Sequence, residues 1–175
     1  SIRRQRQMCI RDRSNCALAV GKEITYQQVE NYNQYTGKHI SVILAQDRVA
    51  TYFKDENRTH ALDPEHKSGW KIVSEFKGKD LAGIKYEQLL PYQQPITGES
   101  FKVIIGDFVT TEDGTGIVHI APSFGADDFR VAKQNNIGSL TLVDKEGKFI
   151  DGVGPYSGMF VKNYKDNENW ENPDV

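Results

Sequence analysis

Gly114-Thr115-Gly116-Ile117-Val118-His119-Ile120-Ala121-Pro122-Ser123-Phe124-Gly125-Ala126-Asp127-Asp128 is the stretch whose reading decides the fold. A glycine turn feeds a short apolar strand at Ile117 to Ile120, and a Pro/Gly loop follows it. Phe129-Arg130-Val131-Ala132-Lys133 then has helical texture, so a helix is expected from 127 to about 136. An imidazole and a carboxylate therefore stand at the two ends of one loop. Ala121, Gly125 and Ala126 are small enough for a ligand to approach the backbone, and the helix N-terminus beside them carries unsatisfied N–H donors. The segment has the make-up of a small-molecule pocket.

Outward from this segment the chain reads as many short strands with one clear helix. Ala17 to Val20, a Gly21-Lys22 turn and the alternating Ile24-Thr25-Tyr26-Gln27-Gln28-Val29 predict a hairpin. His39 to Ala45 and Trp70 to Phe76 read as strands, and so does Phe101 to Val109. Val49 to Phe53 fits a short helix or a strand equally well, and 78–83 a turn or a single helical turn. Tyr86, Leu89, Leu90 and Tyr92 open an extended Pro-containing segment, and Leu140 to Phe149 predicts a last hairpin. The sum is an α+β domain built on a β-barrel.

The composition narrows the function. A chain of 175 residues with 38% hydrophobic and 26% charged residues is long enough for a buried core. No apolar run approaches the ~20 residues of a membrane span. Two cysteines, Cys9 and Cys16, supply neither a disulfide framework nor a four-ligand zinc site, which favours the cytoplasm. The net charge is −2, and five of the 22 basic residues lie in the first 13 positions beside one acid. That leaves 17 basic against 23 acidic residues beyond, a balance of −6 that argues against broad affinity for nucleic acid. Any RNA contact must be local. No Gly-x-x-x-x-Gly-Lys, His-x-Gly-His or Gly-x-Ser-x-Gly motif occurs, so adenylate formation is not expected of this chain and no metal or cofactor of its own is implied.

Each candidate residue has a structural reading beside a functional one. Asp128 in a first helical turn either grips a cation or simply complements the helix dipole, and Asp127 fits the N-cap. His119 in an apolar strand is a core residue or a pocket wall. Thr115, between Gly114 and Gly116, positions a small group or merely turns the chain. Phe124 either stacks on a base or covers the core. His39, His60 and His66 have no partners at ligand spacing.

Gly-Thr-Gly-Ile-Val-His-x-Ala-Pro-x-Phe-Gly-x-Asp-Asp closely resembles the signature of the editing domain inserted into the catalytic core of isoleucyl-tRNA synthetases, which are class I aminoacyl-tRNA synthetases. Ser14-Asn15-Cys16-Ala17-Leu18-Ala19-Val20, Leu81-Ala82-Gly83-Ile84-Lys85-Tyr86-Glu87 and Phe101-Lys102-Val103-Ile104 resemble the family as well. The resemblance implies an aminoacyl-ester hydrolase that removes valine wrongly attached to isoleucine tRNA. It implies that Asp128 holds the α-ammonium, that His119 shapes the acyl cavity, and that Thr115 positions water or a ribose hydroxyl. Asn15, Gly114, Gly116, Ala121, Pro122, Phe124 and Gly125 then bind substrate. The implied partners are the aminoacylated tRNA 3′ end and the catalytic core of the parent synthetase, with ATP and magnesium used only by the full-length enzyme and no membrane involved. The alternatives are the editing domain of a valyl or leucyl synthetase, or an inactive segment that only binds the tRNA end.

The expected organisation is a non-native or disordered segment at 1–13, an editing domain at 14–162 and an exit linker at 163–175. Met8 to Arg13 resembles the translation of a sequencing-library adapter. The family carries a Thr-Thr-Thr-Pro-Trp-Thr-Leu-Pro run at this place.

Overall fold

A computed structural model describes residues 13–161. The expected N-terminal segment, Arg13 apart, and the exit linker lie outside the described residues. The described residues form two compact units, one of residues 13–18, 85–102 and 119–161, the other of residues 19–84 and 103–118. Strands β1 (Ala17–Val20), β5 (Lys102–Ile105) and β6 (Ile117–Ile120) form a three-stranded sheet in the order β5-β1-β6.

The second unit holds the other sheet, β2 (Thr25–Tyr32), β3 (His39–Ala45) and β4 (Trp70–Lys77), in the order β3-β2-β4 with both pairings antiparallel. Tyr26 faces Ala45 and Tyr32 faces His39, while a register shift at Gln28/Val29 bends the pairing with β4. One face buries Val20, Tyr26, Ala45 and Leu81 under Ile24, Phe76 and Ile117, and a second cluster gathers Val29, Leu44, Val49 and Trp70. Buried Tyr26 is satisfied at both lone pair and proton: its hydroxyl accepts the N–H of Gly21 at 3.0 Å and donates to the carbonyl of Gly116 at 2.7 Å. The ambiguous segment after β3 resolves as helix α1 (Val49–Tyr52), and α2 (Gly78–Leu81) forms one turn whose Asp80 returns to the N–H of Lys77 at 3.0 Å.

In the first unit, helix α3 (Ala126–Gln134) follows β6 through the loop 121–125. Asp128, Val131 and Ala132 recur at helical spacing and are its buried residues. Ile120, Ile137, Leu140, Leu142, Phe149, Val153 and Val161 are buried in the same unit. The segment beyond α3 runs as turns and isolated bridges, Val143 with Phe149 and Lys148 with Phe160, so the expected last hairpin is reduced to single bridges. Asp144 explains the reduction, because its carboxylate accepts the N–H groups of Glu146 and Lys148 and spends the ladder's donors on a turn.

The α+β expectation is met, with the strands in two open three-stranded sheets and no closed barrel among the described residues. The expected β1–β2 hairpin is not formed: β1 pairs with β5 and β6, β2 with β3 and β4. Ile24 N–H closes a turn on the Gly21 carbonyl at 3.1 Å, and an added Cβ on Gly21 would lie 2.4 Å from the Ile24 side chain, so the chain bends away at this point instead of folding back. The strand expected over 101–109 is confined to Lys102–Ile105, because Phe101 has φ of +60° and Gly106 and Asp107 begin a turn.

Candidate functional site

A cavity of about 370 Å3 opens in the first unit. Arg13, Asn15, Leu18, Tyr86, Leu90 and His119 are among its walls, with Glu87 to Leu89 completing the rim. Its volume falls within the ~300–1,000 Å3 of small-molecule sites. His119 comes from β6, Leu18 from β1, and Asn15 from the two residues that precede Ala17. The backbone brings these three together by strand pairing: the N–H of Cys16 donates to the carbonyl of Ile120 at 2.8 Å and the carbonyl of Cys16 accepts from Phe101 at 2.7 Å.

Asn15 is held at both ends of its amide. Nδ2 donates to the carbonyl of Ala17 at 2.8 Å and Oδ1 accepts the hydroxyl proton of Tyr86. Tyr86 in turn meets Phe101 edge to face, ring centroids 6.1 Å apart, and its N–H donates to the Phe101 carbonyl at 2.9 Å. Burial pushes the Tyr86 phenol well above its ordinary range, with Cys16 adding to the rise and the bond to Asn15 opposing it. Tyr86 is therefore a protonated donor at neutral pH. The sequence reading placed Tyr86 in an extended segment and gave it no role. A phenol among Leu89, Leu90 and Tyr92 carries no local sign of its partner, which lies 71 positions away.

Asp128 is 5% exposed and sits on the buried face of α3. One carboxylate oxygen accepts the N–H of Ala121 at 2.9 Å, tying the helix's first turn to the residue that follows the strand bearing His119. The N-cap is Gly125, not Asp127, and no side chain caps the helix. Asp127 is exposed and lies 3.8 Å from Arg130, an exposed pair worth little. Gly125 approaches the Asp128 side chain so closely that a Cβ there would lie 3.2 Å from its carboxyl carbon.

The remaining predicted residues divide between the units. Ala121 and Pro122 are buried and Phe124 is half-buried, its N–H bonded to the carbonyl of Ala121 at 3.0 Å; none of the three is among the residues that line the cavity. Gly114, Thr115 and Gly116 belong to the second unit. The carbonyl of Gly114 accepts from Arg48 Nε at 2.8 Å, that of exposed Thr115 from Ala45 N–H at 2.8 Å, and that of Gly116 from Tyr26. These three carbonyls are occupied in holding the turn. The structure thus gathers Asn15 and His119 in one cavity and joins Asp128 to Ala121.

Among the described residues no group of three or more His, Cys, Asp or Glu side chains is placed to hold a metal ion. No helix among them is long and apolar enough to cross a membrane.

No protein-family model matches the chain. Curated isoleucine–tRNA ligases match it well. The one from Cytophaga hutchinsonii is 49% identical over 164 residues, which covers 85% of this chain and 15% of the relative. The one from Porphyromonas gingivalis is 48% identical over 151 residues, covering 82% of this chain and 13% of the relative. A solved structure described as the crystal structure of GlLeuRS-CP1 is similar with a TM-score of 0.49 and 21% identity, over 74% of this chain and 39% of that one. The chain spans only 15% of the length of the first of these relatives. With nearly half its residues identical to theirs over more than four-fifths of its length, the chain belongs to the isoleucine–tRNA ligase family and corresponds to one segment of it.

Proposed function

We propose that this segment is the editing region of an isoleucine–tRNA ligase, which hydrolyses the ester of valine wrongly joined to isoleucine tRNA. The observation that carries the reading is the 370 Å3 cavity in which Asn15 and His119 share a wall. A mostly apolar pocket of this size, with a few fixed polar groups, suits an aliphatic side chain and the ester beside it. The chemical need is set by size. One missing methylene is worth only ~1–3 kcal/mol, a value that comes from these synthetases themselves, so a second and smaller site must remove valine.

In this reading His119 closes the acyl end of the cavity and Asn15, immobilised by Tyr86 and Ala17, presents its second amide N–H to the substrate. Asp128 supplies the charge that holds the α-ammonium. A carboxylate offers about four acceptor positions, so accepting the N–H of Ala121 leaves capacity for a charge-assisted bond. Ala121, Pro122, Phe124 and Gly125 form the loop that the tRNA end meets. The partners are the aminoacylated 3′ end of the tRNA and the catalytic core of the whole cytoplasmic enzyme, to which ATP and magnesium belong.

The test is deacylation of valyl-tRNA and isoleucyl-tRNA for isoleucine, measured with the full chain under single-turnover conditions. Slow hydrolysis is expected of the chain as given, with valine lost faster than isoleucine. Equal loss of both, or loss no faster than in buffer, would overturn the reading.

A further inference from the structure

A second and larger cavity, about 610 Å3, lies in the other unit between the β2–β3 turn, α1 and the loop before β4. Its lining differs in kind from that of the first. Tyr35 and Tyr52 are 87% and 51% exposed, while Trp70 is buried and fixed by donation from its Nε1 to the Lys54 carbonyl at 2.8 Å. Lys54 and Lys67 also line it, and no lining residue is acidic. In a chain whose balance beyond residue 13 is −6, a concavity with two lysines and no carboxylate is a local reversal of charge.

Two further details point to a ligand. Asn31 lines the cavity, and its Oδ1 is buried with no hydrogen-bond donor among the described residues. Native structures seldom leave such an acceptor unmet. Lys67 is laid along the edge by the backbone: Gly37, at φ of +63°, lets it pass so close that a Cβ there would lie 2.9 Å from its Cδ. Lys54 is 3.6 Å from Glu56, an exposed pair that a phosphate can displace at little cost.

Exposed aromatic rings, amides at base-edge height and lysines for the backbone are the parts from which unpaired nucleic acid is recognised. We infer that this cavity binds an unpaired stretch of RNA, with a base stacked on Tyr35 or Tyr52, its exocyclic amine or ribose hydroxyl donating to Asn31, and the adjoining phosphates on Lys67 and Lys54. The inference concerns a site separate from the ester cavity and requires no hydrolysis. A surface of this kind gives the segment a hold on RNA that its overall charge does not supply.

The experiment uses the full chain and a short single-stranded oligoribonucleotide with 2-aminopurine at its centre, whose fluorescence falls when the base stacks. Saturable quenching is expected, and a blunt RNA duplex of the same sequence should compete poorly. Tyr35→Ala with Tyr52→Ala, both at exposed positions, should weaken binding about ten-fold or more and abolish the quenching. Lys67→Ala should weaken binding and lower the salt slope by about one. Lys145→Ala, at an exposed position that lines neither cavity, should leave the quenching unchanged. Quenching that survives the double tyrosine change, that disappears with Lys145→Ala, or that the duplex competes away equally would overturn the inference, as would the absence of saturable binding. Failure of ester hydrolysis would leave it standing.

Discussion

The carboxylate of Asp128 accepts the backbone N–H of Ala121 at 2.9 Å, and both residues are buried. One side chain therefore couples the first turn of α3 to the residue after the strand that carries His119. Its hydrogen-bonding role and its charge are separable. Asp128→Asn retains an oxygen for Ala121 and removes the charge, whereas Asp128→Ala also strands a buried N–H, at a cost of ~1–3 kcal/mol. In the intact enzyme both changes are expected to abolish clearance of valyl-tRNA with isoleucine activation nearly normal, and only the alanine variant should melt appreciably lower. Parental deacylation by Asp128→Asn would remove the charge from the mechanism.

His119 bounds the cavity beside Asn15 and Leu18. His119→Ala is expected to enlarge the pocket and let correctly charged isoleucyl-tRNA be hydrolysed too. The readout is the ratio of valine to isoleucine release. An unchanged ratio would return His119 to a packing role.

Gly114 and Gly116 both have left-handed backbones, φ of +60° and +74°, yet their surroundings differ. A Cβ on Gly116 would lie 2.5 Å from that of Ala45, while one on Gly114 meets nothing within 4 Å. Gly116→Ala should destabilise by roughly 2–4 kcal/mol, combining the backbone penalty with overpacking, and Gly114→Ala by only about 1–2 kcal/mol. Urea unfolding midpoints of the two variants check the order, and equal midpoints would contradict it.

Cys16 is fully buried, and burial pushes its thiol from 9.0 to about 11, with a backbone hydrogen bond opposing the rise. A folded-state value raised above the unfolded one means that the unfolded chain loses its proton first as pH rises. The contribution is complete below pH 9 and is lost as pH climbs toward 11. Stability should fall over this window, and Cys16→Ala should flatten the fall between pH 9 and 10, before the tyrosines contribute. Equilibrium unfolding at several pH values measures it; identical slopes would discount the thiol.

The family's threonine-rich run has no counterpart in residues 1–13. Replacing those residues with Thr-Thr-Thr-Pro-Trp-Thr-Leu-Pro should raise single-turnover deacylation of valyl-tRNA ten-fold or more, equivalent to ~1.4 kcal/mol of barrier. Equal rates would locate the chemistry wholly in 114–128.

Residues 114–128 were legible without coordinates because their signals are local. Gly114 and Gly116 mark a turn, the β-branched Ile117 and Val118 favour a strand, and a 3.6-residue period starts after Gly125; each depends on backbone preferences within a few positions. The residues alone did not separate Asp127 from Asp128 as the buried acid; the family resemblance singled out Asp128 for function, and the N-cap expected at Asp127 falls on Gly125 instead. Which acid is buried was decided by which face of α3 met apolar residues, a property of partners distant in sequence. The same holds for β1, whose apolar run was plain but whose partners are β5 and β6 and not its neighbour β2. Strand pairing draws its free energy from cross-strand contacts, and these can be supplied by any segment the chain brings alongside. The cavity shares that origin, because Asn15, Tyr86 and His119 lie about a hundred positions apart from first to last and meet only when those strands have paired.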